Sequence, residues 1–113
     1  MATQLDDRER RQAAVDYLAE LRSEGIHEIL NRQIDSEPKR KALEDYNEAW
    51  CQRVISHLKA NFPKAEVLNF SRLGAVPLAA FGHGFDPHHA KVLREFALRE
   101  ERILDIIRRY SGR

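Results

Sequence analysis

Three of the five histidines in this 113-residue chain lie within seven residues, in Gly82-His83-Gly84-Phe85-Asp86-Pro87-His88-His89. Imidazole beside a carboxylate is the usual equipment for holding a transition metal or moving a proton near neutral pH. Glycines on both sides of His83 widen the backbone conformations open to it, as in loops that approach ligands closely. A metal or small ligand held here would use His83, Asp86, His88 and His89, with Glu100 reaching in from the following helix. Against this stands the spacing. No two of these histidines are four residues apart on one helical face, and no cysteine is near.

The other chemistry-bearing residues are scattered. Cys51 is the single cysteine, set beside Trp50 among apolar positions, where a thiol lacks the base or helix N-terminus that would activate it. Arg22-Ser23-Glu24-Gly25-Ile26-His27 is similar in its Arg-x4-His spacing to the HEPN ribonucleases, small helical proteins that dimerise. The likeness covers six residues. A chain this rich in arginine offers about two such spacings by chance, so it assigns no family. No nucleophile elbow, phosphate-binding glycine loop or paired-cysteine motif occurs, and no cofactor is implied. The expectation is a protein without catalysis of its own.

Charged residues on apolar helix faces are the next signal. Read at 100° per residue, the last helix sets Leu93, Phe96, Ala97, Ile103, Leu104, Ile107 and Tyr110 on one arc, with Glu100 near its middle. Arg22 shares the stripe of Val15 and Leu18 on the first helix. An unpaired buried charge is costly, so either the arginines snorkel at the ends of the first helix while Glu100 finds one basic partner, or Glu100 forms a partly buried pair with Arg22 or His57. Leu98 and Ile106 fall off the arc, with Arg102 and Arg109 beside them. Such residues either pack under the Phe-rich connector or make a subunit contact, where large apolar side chains mixed with arginine are typical; in the second case these four residues are the expected interface.

The elements that must position these groups read as helices. Thr3-x-x-Asp6 resembles a capping box, and apolar spacing carries a first helix from about Gln4 to Glu24. Gly25-Ile26 has the pattern of a glycine stop. Ile26, Ile29, Leu30 and Ile34 then predict a short second helix. Asp35-Ser36-Glu37-Pro38 opens a third, which runs to about Asn61 and halts before Phe62-Pro63. Residues 64–85 form an irregular Phe/Gly-rich connector, in which 64–76 fit strand or helix equally. Asp86-Pro87 starts a last helix that ends near Tyr110. The fold class is all-α: a compact bundle of three long helices and one or two short ones, in a single domain of residues 1–113.

Composition sets the outer bounds. At 42 % apolar and 33 % charged residues, the chain can build a core and remains strongly solvated, which excludes disordered and collagen-like classes. Nineteen Lys+Arg against eighteen Asp+Glu leave a charge of +1, without the basic excess of a dedicated nucleic-acid binder. That small sum conceals an acidic first helix and a basic last one, so nucleic-acid binding through the Arg-rich last helix is a second alternative. The longest uncharged run, Leu73 to Phe85, is too short for a bilayer. A lone cysteine and an opening without a leader pattern point to the reducing cytoplasm. The resulting expectation is a small intracellular interaction or regulatory module that associates with itself or with another protein.

Overall fold

The computed structural model describes residues 2–72 and 87–111, and it is an all-α bundle. Helix α1 spans Ala2–Gly25 and runs without interruption into a single π-helical turn, Ile26–Leu30. Helix α2 covers Glu37–Asn61, the short α3 covers Lys64–Ser71, and α4 covers Pro87–Tyr110. No helix among the described residues is long and apolar enough to cross a membrane. The histidine-flanking loop at His83 and Asp86, with the rest of residues 73–86, lies outside the described residues.

Local chemistry accounts for the boundaries of α2. Ser36 is extended (φ −153°), its carbonyl accepts the Arg40 N–H at 3.0 Å, and Pro38 stands in the first turn, where no helical N–H is needed. At the other end the Phe62 N–H closes on the Leu58 carbonyl at 2.9 Å, and Pro63 prevents continuation. The same proline opens α3, its carbonyl accepting the Glu66 N–H at 2.9 Å.

One apolar core draws on every helix: Val15, Leu18 and Leu21 from α1, Leu43, Val54 and Leu58 from α2, Phe70 from α3, and Phe96, Ile103 and Ile106 from α4. Trp50 is fully buried at its centre. Its ring lies 5.0 Å from that of Phe96 and 6.2 Å from that of Phe70, and its indole N–H donates to the Leu21 carbonyl at 2.8 Å. Burying a residue of this size contributes several kcal/mol in the usual accounting of area, at roughly 25 cal/mol per Å².

Gly25 does not stop α1. Its backbone is ordinary right-handed helix (φ −61°, ψ −44°), so no left-handed cap forms. Space explains the glycine instead. A Cβ there would sit 2.7 Å from a Phe96 ring carbon and 2.8 Å from two carbons of Trp50. The predicted separate helix over Ile26–Ile34 is also corrected. The chain widens into one π turn, closed by the Asn31 N–H on the Ile26 carbonyl at 3.2 Å, and then leaves helical structure until α2. The widening follows the point where Trp50 takes up the Leu21 carbonyl, and it keeps Ile29 fully buried. The ambiguous stretch after Pro63 is helix through Ser71.

Candidate functional site

Of the residues read for metal chemistry, His83 and Asp86 lie outside the described residues, and the other three, His88, His89 and Glu100, do not converge. His88 is exposed and His89 is buried, as successive positions of a helix turn require. Glu100 comes twelve residues after His88 on the same helix, roughly 18 Å along its axis. Among the described residues no group of three or more His, Cys, Asp or Glu side chains is placed to hold a metal ion.

Glu100 is paired with Arg22. The arginine Nε donates to Glu100 Oε1 at 2.6 Å and a terminal nitrogen reaches the same oxygen, with the two side chains 29 % and 18 % exposed. This contact fastens α1 to α4. His57 is occupied elsewhere: its Nε2 meets the Ala14 carbonyl at 2.8 Å, and its ring stacks edge-on against Tyr17. With Nε2 donating to a carbonyl, Nδ1 is left to accept from Asn61 at 3.1 Å. A second clamp joins α1 to α2, where Glu24 accepts from both Tyr46 and Arg53. Burial and the neighbouring Glu24 carboxylate push the Tyr46 phenol up to about 12.

The expected interface is divided by the fold. Leu98 and Arg102 are half-buried, and the Nε of Arg102 is buried without a hydrogen-bond partner. Ile106 is 0 % exposed, which corrects its reading as an outward contact. Arg109 donates from Nε to Glu66 Oε2 at 3.3 Å, with a terminal nitrogen on Oε1. The physical reason is α3, which packs over this flank of α4 and turns an off-arc apolar residue into core. Glu66 is buried and escaped the sequence reading. Its signal was its place midway between Phe62 and Phe70, four residues from each, on the inner face of a helix. Burial pushes its carboxyl up, but hydrogen bonds from Arg109, Tyr110 and Asn69 outweigh that and leave its pKa below the usual glutamate value.

The same flank of α4 continues toward its N-terminus as His88, Lys91, Glu95 and Arg99, and there α3 no longer reaches. What remains is a cleft of about 590 Å³ between α2 and α4, beginning at Phe70 and Ser71. Its α2 bank carries Glu44, Asp45 and Glu48 with Lys41, and its α4 bank carries Lys91 and Arg99 with Glu95. Asn47, Cys51, Phe70 and Val92 are buried and form the floor. Asn47 is only 9 % exposed, yet its side-chain carbonyl has no hydrogen-bond partner among the described residues. That arrangement costs about 1–3 kcal/mol unless something supplies a donor. Burial raises the Cys51 thiol pKa against the opposing pull of Arg99, with Glu95 and Glu48 adding to the rise, so at neutral pH it is a thiol and a poor nucleophile. The cleft thus combines charged banks, a largely apolar floor and one amide carbonyl without a hydrogen-bond partner among the described residues. Compared with known proteins, the chain matches no family model, no curated protein and no solved structure.

Proposed function

We propose that this chain is a small helical interaction module that associates with itself and carries out no catalysis of its own. The observation that supports this reading is Asn47 in the floor of the α2/α4 cleft, nine-tenths buried, with its side-chain carbonyl unpartnered among the described residues. A buried amide left without a partner is costly, and a docked surface that offers a donor removes the cost. The walls are charged at the rim and apolar beneath, which is the anatomy of a docking surface. A cytoplasmic, reducing setting fits the buried free thiol of Cys51.

Sedimentation velocity and native mass spectrometry of the full chain across a wide concentration range test the proposal. The expected result is a mass that rises from the 13.2 kDa of one chain toward a multiple of it. A single species of one-chain mass at every concentration would overturn it.

A further inference from the structure

We infer that the cleft between α2 and α4 takes a second copy of this chain, docked about a two-fold axis so that the α2 bank of each protomer faces the α4 bank of the other. This rests on the self-association proposed above and names the face that performs it.

Charge carries the argument. On α2, Glu44 is bridged to Arg40 and Asp45 to Lys41, each within its own helix. On α4, Glu95 is bridged to Arg99. With those pairs set aside, one negative charge remains on the α2 bank, Glu48, and one positive charge on the α4 bank, Lys91. Both are exposed and line the same cleft, yet they do not form an ion pair across it within one chain. A surface with its own opposite charges on its two sides is self-complementary under a two-fold rotation, because such an interface brings each patch against its counterpart. Glu48 of one protomer then meets Lys91 of the other, twice.

Asn47 supplies the second argument. An amide carries both an acceptor and donors, so two copies near a symmetry axis can satisfy one another. A single buried asparagine is a known means of setting register between paired helices. The face is about 20 Å long, from the helical rise over Lys41–Ile55, which suits a weak dimer of transient size better than an obligate one.

Charge reversal tests the face. Glu48→Lys and Lys91→Glu are expected each to weaken dimerisation by about tenfold or more, measured by sedimentation. The double variant is expected to recover association to within a fewfold of the original chain. An equimolar mixture of the two single variants is expected to form a heterodimer visible by native mass spectrometry. Neither side chain has an ion-pair partner among the described residues, so the monomer's melting temperature should not move, and the milder Glu48→Gln and Lys91→Gln should weaken the dimer in the same direction. A dimer indifferent to both reversals would overturn this face while leaving self-association standing. A double variant that fails to recover would also overturn it. A chain that never dimerises would overturn both.

Discussion

The two halves of one flank of α4 present similar residues and meet different fates. In the C-terminal half, Ile106 and Arg109 lie under α3, and the buried carboxylate there is answered: Glu66 holds Arg109 and also takes hydrogen bonds from Asn69 and Tyr110. In the N-terminal half α3 has ended, and among the described residues Glu48 and Lys91 line a cleft without ion-pair partners, while the buried Asn47 carbonyl beneath them has no hydrogen-bond partner. The difference is eight residues of helix. A charge is easily recognised as structural once a neighbouring element covers it. The same kinds of group, uncovered among the described residues, are what the proposed docking of a second copy is built on.

The largest effect that would break this contrast is expected on the covered half. Glu66→Ala should cost about 2 kcal/mol by thermal or denaturant unfolding, less than a fully buried pair because Arg109 can return to water. Acid should act through the same group. The folded-state pKa of Glu66 lies below its unfolded value, so its stabilisation is present above roughly pH 4.3 and is lost as pH falls through the folded value. Glu24, whose carboxyl is lowered chiefly by its hydrogen bond from Arg53, adds to the same window. Melting temperature plotted against pH should therefore fall less steeply in acid for Glu66→Gln than for the unaltered chain, and parallel curves would contradict the assignment. On the opposite side of α4, Arg22→Met and Glu100→Gln should show a coupling of about 1 kcal/mol in a double-mutant cycle, since both groups are partly hydrated. Strict additivity would remove the clamp.

The smallest effect is expected in the open half, and it sharpens the comparison most. Asn47→Leu, measured on dilute protein, should change stability by less than about 0.5 kcal/mol or raise it, because no hydrogen bond is lost and an unsatisfied carbonyl is removed. A loss comparable to that of Glu66→Ala would mean that Asn47 is already serving the monomer.

Much of the architecture was legible because it is written in local chemistry. The opening of α2 at Ser36 and Pro38, its end before Pro63 and the start of α4 at Pro87 all follow from what proline and helix termini allow. Glu100 stood out because a carboxylate inside an apolar arc must be paired, and the structure pairs it with Arg22. Gly25 was misread because its reason is tertiary: two aromatic rings from other helices pass where a Cβ would be. The π turn escaped for the same cause, since Trp50 comes to it from α2. Ile106 stood open to two readings, burial under the connector or an interface, only while the segment that covers it could be strand or helix. Asn47 could have been found by the rule that found Glu100, as it stands between Leu43 and Trp50 in the buried stripe of α2. The cleft could not, because it exists by virtue of where α3 ends in space.

Trp50 has a practical consequence of its own. It is the chain's single tryptophan, enclosed by residues of four helices, with its indole N–H bound to the Leu21 carbonyl. Its fluorescence is therefore an intrinsic signal of assembly, blue-shifted while all four helices are docked and red-shifted when any one of them swings away and admits water. Tyrosine emission and far-ultraviolet circular dichroism follow helices that can persist alone. If the tryptophan signal and the helical signal part company during unfolding, the bundle comes apart into helices before the helices themselves dissolve.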